Sequence, residues 1–108
     1  MKLVDLVRYF RNGGSYDNFC RLQSLDVNSE VIEIYMLEPV NLDSELAFFA
    51  IEDTEGKIEY VFNDKTYSNL FDFYIFQDSI EEFKTNGDSA ITDEEIACRL
   101  LMYGLNDA

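Results

Sequence analysis

The sequence predicts a single α+β domain built as an N-terminal helical hairpin, an antiparallel β-meander of about four strands and two C-terminal helices. Three observations carry that expectation. Apolar residues recur at helical spacing near both ends, they alternate at a spacing of two through the middle, and Gly, Asn and Asp punctuate the boundaries. At 108 residues the chain suits one core, and its 47% hydrophobic and 15% aromatic content argues for folding despite the charge. No repeat or linker divides it.

The elements follow in order. Leu3, Leu6, Val7 and Phe10 share a helical face and Gly13-Gly14 stops the pattern, predicting a helix over roughly 2–12. Ser15 then caps a second helix, to about residue 24, carrying Phe19 and Cys20. In the run 30–40, Ile32, Ile34 and Met36 alternate with Glu33 and Tyr35, the pattern of a half-buried strand ended by Pro39. The run 45–53 reads as a more fully buried strand. Asp53-Thr54-Glu55-Gly56 makes a turn in which Gly56 supplies positive φ, and a strand follows over 57–64, with Ile58, Tyr60 and Phe62 on one face and Glu59 on the other. Residues 66–69 read as a loop. Residues 70–77 read as the last strand, with a short buried helix as the alternative for so apolar a run. Asp78 with Glu81, and Thr92 with Glu95, have capping-box spacing for two helices, the first ending at Asn86-Gly87 and the second near Gly104.

Charge bounds the partner. The chain holds 8 Lys and Arg against 22 Asp and Glu, a formal net charge of -14. Four of the bases but only two of the acids lie in residues 1–25, so the remainder is intensely acidic. Such a surface repels nucleic acid and anionic lipid and draws in cationic proteins, at rates that salt depresses. Arg8 and Arg11, three apart on the first helix, are expected to pair with the chain's own acids.

The chemistry absent from the chain is equally informative. With no histidine, Ser-His-Asp and Cys-His nucleophiles and most catalytic zinc sites are excluded. The five glycines form no phosphate loop, and the acidic runs 51–56 and 93–95 do not match a calcium loop. No catalytic residue, metal or other cofactor is therefore assigned. Cys20 and Cys98 are too few for a disulfide framework and are expected to be buried. Asp5 and Arg8 interrupt the first apolar run, which is not expected to act as a secretory signal, and no run has the length of a membrane span. A cytoplasmic, monomeric protein is the expectation.

Most phenylalanines are expected in the core, whereas tyrosine beside carboxylate is the composition of a surface that receives Lys or Arg side chains. On that ground the candidate partner-binding residues are Glu33, Tyr35, Glu59, Tyr67, Asp72 and Tyr74 on the sheet, with Glu52, Asp53 and Glu55 at the turn.

The segment Phe73–Phe83, FYIFQDSIEEF, resembles the strand followed by a D-S-hydrophobic-E-E-F helix that ends many bacterial SUKH-type immunity domains. The resemblance covers about a tenth of the chain. Size and acidity are likewise similar to the immunity proteins of contact-dependent inhibition. The class implies a cognate basic toxin domain as partner, with a nuclease favoured because an active site that holds phosphate must be cationic. Two other readings stand beside it. One is an acidic nucleic-acid mimic of the anti-restriction type, which requires an elongated acidic stripe; the other is a small enzyme that uses carboxylates and a metal.

Overall fold

A computed structural model describes residues 1–85 and 90–107. The α+β class, the antiparallel four-stranded sheet and the order of the major elements agree with the sequence reading. Helices α1 (Leu3–Arg11) and α2 (Tyr16–Leu22) form the N-terminal pair, with Gly13 at a φ of 94° between them and the Ser15 hydroxyl accepting from the Asn18 amide. Strands β1 (Ile32–Leu37) and β2 (Leu46–Ala50) follow. A single helical turn, α3 (Ile51–Thr54), leads to β3 (Glu59–Phe62) and β4 (Lys65–Asp72). Helices α4 (Phe73–Thr85) and α5 (Asp93–Asp107) complete the chain.

Four boundaries differ from expectation, each for a local reason. The second strand stops at Ala50 because Ile51–Thr54 turns helical; it is an edge strand, and four of its five residues are only half-buried. The segment 66–69 is strand, because Asn63 and Asp64 take φ of 51° and 65° and close a two-residue hairpin that pairs Tyr60 with Tyr67. The apolar run after it is strand only to Asp72. From Phe73 it is helix, because the Asp72 carboxylate accepts from the Ile75 amide at 2.9 Å and caps α4 there, not at Asp78. Helix α5 begins as predicted, the Thr92 hydroxyl accepting from the Glu95 amide, but runs on through Gly104. A Cβ on Gly104 would lie 3.1 Å from the Leu70 carbonyl oxygen, so glycine here allows close packing on β4 instead of ending the helix. The Asn86-Gly87 stop lies outside the described residues.

The expected meander does not form. The strand order is β2-β1-β4-β3, so two hairpins join through the central β1–β4 pair. The connection from β2 to β3 must therefore pass from one edge of the sheet to the other.

The helices cover one face of this sheet. Ile32, Ile34, Met36, Leu46 and Phe71 pack there against Leu3, Leu6, Val7, Phe10, Phe76, Ile96 and Leu100. Phe10, Phe19, Phe48 and Phe73 interlock with ring centroids 5.0–6.2 Å apart. The helix layer is also tied by charge. The Arg11 guanidinium donates to the Asp93 carboxylate at 2.8 Å and to the Ile91 carbonyl at 3.0 Å, while Arg8 meets the other Asp93 oxygen at 3.2 Å. The N-terminal arginines thus pair with acids of the same chain, fastening α1 to the first turn of α5, where a carboxylate is also favoured by the helix dipole.

Candidate functional site

The second face of the sheet carries the sequence's candidates, and a short strap reorganises it. Because side chains alternate, Glu33 and Tyr35 on β1 point away from the helices, as do Ala47 and Phe49 on β2, Tyr67, Asn69 and Asp72 on β4, and Tyr60 and Phe62 on β3. Residues 51–58, connecting the two edge strands, cross this outer face. Thr54 donates its hydroxyl to one Glu33 oxygen at 3.1 Å, and the Asn69 amide donates to the other at 2.9 Å. The Tyr35 hydroxyl donates to the Lys57 carbonyl at 2.6 Å. Glu33, Tyr35 and Thr54 are buried as a result.

This overturns the reading of β1 as half-buried, and with it the placement of Glu33 and Tyr35 on a solvent-facing surface. They are the anchors of the strap. Burial pushes the Tyr35 hydroxyl above its ordinary 10.0, since its anion would sit in a poorly solvated site beside Glu33.

The remaining candidates separate into three groups. Glu52 is exposed on the strap, and its carboxylate accepts from the Ser29 hydroxyl and from the Glu30 amide at 2.9 Å. Those bonds, the Ser29 one foremost, hold it below the ordinary carboxylate value and give it a bracing role toward the loop before β1. Asp53 and Glu55 are exposed beside it, Glu55 in the left-handed conformation and Gly56 at a φ of 70°, which turns the strap toward β3.

Tyr67 lies half-buried on the outer face, and Asp72 caps α4 at its far end, directly opposite Glu33. Glu59 pairs with Ser68 and Ser68 with Met36, so it points to the helix-bearing side beyond the helices' reach and does not join this group. Tyr74 is not on a strand at all. It projects from the first turn of α4, exposed, with its hydroxyl 3.4 Å from the Glu30 carbonyl.

Sequence reasoning picked out Tyr67 but missed the three aromatics that accompany it on the outer face. Phe49, Tyr60, Phe62 and Tyr67 form one cluster around Tyr35, with Phe49 at 5.0 Å from Tyr60, 5.3 Å from Phe62 and 5.7 Å from Tyr67. Phe62 is 45% exposed and the other three partly so. The Asn63-Asp64 dipeptide between two alternating runs was the available signal. Read as a hairpin turn, it places Tyr60, Phe62 and Tyr67 on one face. Exposed carboxylates lie on the same side: Asp64 in the hairpin that carries Phe62, and Asp53 and Glu55 on the strap, whereas Glu38, bonded to Ser68, belongs to the helix-bearing side.

Among the described residues, no group of three or more His, Cys, Asp or Glu side chains is placed to hold a metal ion. No described helix is long and apolar enough to cross a membrane. Cys20 is buried, as expected, but Cys98 is exposed on α5. Comparison with protein-family models, with curated proteins and with solved structures finds no match to this chain.

Proposed function

We propose that the protein is an immunity- or antitoxin-like inhibitor, which binds a cognate basic toxin domain, a nuclease foremost, through the outer face of its sheet. The observation that carries this reading is the partly exposed cluster of Phe49, Tyr60, Phe62 and Tyr67, with Asp64 and the strap's Asp53 and Glu55 exposed on the same side, on a chain of net charge -14. Aromatic side chains lose little conformational entropy on burial and supply the desolvated centre of an interface. Surrounding carboxylates speed encounter with a cationic surface and orient it. The contact set that follows is Tyr60, Phe62 and Tyr67, with Asp53, Glu55 and Asp64 at the rim. Glu33 and Tyr35 act by holding the strap in place.

The nucleic-acid mimic gains less support, since principal extents of 40 × 29 × 21 Å are short for an elongated phosphate-like stripe. The test is affinity capture from the source cell's lysate with low-salt and then high-salt washes, followed by production of each retained protein alone. A basic partner that is toxic by itself, and is neutralised by the wild-type chain but not by a Phe62→Ala, Tyr67→Ala variant, is the expected result. Equal neutralisation by that folded variant removes the outer face from the account, and a set of DNA-binding proteins lost together at high salt favours the mimic.

A further inference from the structure

Strand β3 begins at Glu59, whereas β4 continues to Asp72. The last bond between them runs from the Asn69 amide to the Ile58 carbonyl, so β4 has no β3 partner beyond that point. A cavity of about 230 Å³ lies at this step, its walls made by Ile58, Phe71, Ile75 and Tyr103 and its polar groups by Glu33, Asn69 and Asp72. A small-molecule site typically encloses about 300–1,000 Å³. This one is the size for a single side chain.

Its chemistry is equally specific. Glu33 and Asp72 are cross-strand partners, so two carboxylates meet at one position in the sheet. Glu33 is only 8% exposed, and its bonds come from the neutral hydroxyl of Thr54 and the neutral amide of Asn69. Asp72 receives the Ile75 amide. Among the described residues, no Lys or Arg forms an ion pair with either carboxylate. A largely buried carboxylate without a counter-cation costs stability, and local costs of this kind concentrate where a protein meets a ligand. The walls, meanwhile, are apolar and open. Ile58 is 77% exposed and Tyr103 42% exposed, the latter with its ring 6.3 Å from Phe71.

Apolar walls leading to paired carboxylates match an amphipathic cation, whose aliphatic stem packs along the walls while its charged head meets the acids. We infer that this cavity, at the open edge of β4 where the outer face ends, is a specificity pocket that receives one lysine or arginine side chain of the protein partner. The inference rests on the reading of the partner as a basic protein and assigns the place where one of its side chains is anchored.

The test begins without the partner. Wild-type protein is titrated with N-acetyl-arginine amide, N-acetyl-lysine amide and the neutral N-acetyl-norleucine amide while backbone amide chemical shifts are followed. The cationic probes are expected to give saturating shifts confined to Ile58, Asn69, Asp72, Ile75 and Tyr103, with norleucine at least about tenfold weaker. Equal response to norleucine, or unsaturated shifts spread over all the acidic residues, overturns the proposal. The double variant Glu33→Gln, Asp72→Asn keeps the acceptors for Thr54 and for the α4 cap, and it is expected to lose the cation response with its spectrum otherwise native. If that variant does not fold, the norleucine comparison on wild type decides alone. With a captured partner, unchanged affinity of the folded double variant refutes the pocket while leaving the inhibitor reading intact. Failure to find a basic partner refutes that reading and leaves the probe result standing.

Discussion

Both faces of the sheet carry aromatic side chains, but they are covered by different means and to different degrees. On the helix-bearing face, four helices close over Ile32, Ile34, Met36 and a group of phenylalanines, mainly by apolar packing, with the Arg8 and Arg11 bonds to Asp93 tying α1 to α5. On the outer face, eight residues of connecting chain cross the sheet, held by hydrogen bonds to Glu33 and Tyr35. A strap covers the centre of a sheet but not its margins. Phe62 and, in part, Phe49, Tyr60 and Tyr67 therefore stay accessible, whereas Phe73 and Phe76 do not. One face stores stability, and the other holds an arranged but incompletely covered surface.

The largest expected effect breaks the comparison at the helix-bearing face. Phe73 touches Phe10, Phe19, Phe48, Phe76 and Tyr16, and Phe73→Ala is expected to cost about 3–5 kcal/mol in urea unfolding, through lost burial and the cavity left behind. Phe62→Ala on the other face should cost under about 1 kcal/mol, because Phe62 is already 45% exposed, while weakening partner binding. Similar costs for the two would erase the distinction.

The strap's attachment comes next. Thr54→Val removes the hydroxyl that bonds buried Glu33 while keeping the side chain's shape. Leaving that oxygen short of a donor should cost about 1–3 kcal/mol, and hydrogen exchange should rise selectively over residues 51–58. A global loss without local exchange would mean that the strap does not move as a unit.

Asp93→Ala sharpens the helix side, where Arg8 and Arg11 lose the carboxylate they share, Arg11 keeping the Ile91 carbonyl and Arg8 its longer pairs with Asp5 and Glu94. Since Arg11 and Asp93 are about one-fifth exposed, a loss of about 1–2 kcal/mol is expected, reduced by added salt. The smallest effect is confined to high pH. Burial holds the Tyr35 hydroxyl above 10.0 in the folded state, so its contribution is complete below 10.0 and is lost as pH rises through the folded value. Tyr35→Phe should flatten part of the alkaline fall in unfolding midpoint, leaving the part due to Tyr16, whose hydroxyl is also raised by burial.

How much of this was legible in the sequence follows from the range of each interaction. The helix starts at Ser15 and Thr92 and the positive φ at Gly56 depend on neighbours within four residues, and they were read correctly. The fate of Phe73–Gln77 was not, because an apolar run fits strand or helix equally and one bond from Asp72 decides it. Glu33 and Tyr35 were misplaced for a longer-range reason. Alternation correctly set them on the second face, yet their burial depends on the strand order, which sends residues 51–58 across them. The pairing of Glu33 with Asp72 joins residues far apart in sequence, so no local pattern announces the pocket they share.

The most direct test of the central claim, that the strapped outer face is the binding surface and the helix layer is its scaffold, is hydrogen–deuterium exchange of the protein with and without its captured partner. Protection concentrated in residues 51–69 and at the start of α4, with α1 and α2 unchanged, is the predicted result. Protection confined to the exposed sides of α1, α2 or α5, with the strap and the β3–β4 hairpin exchanging as in the free protein, would contradict it.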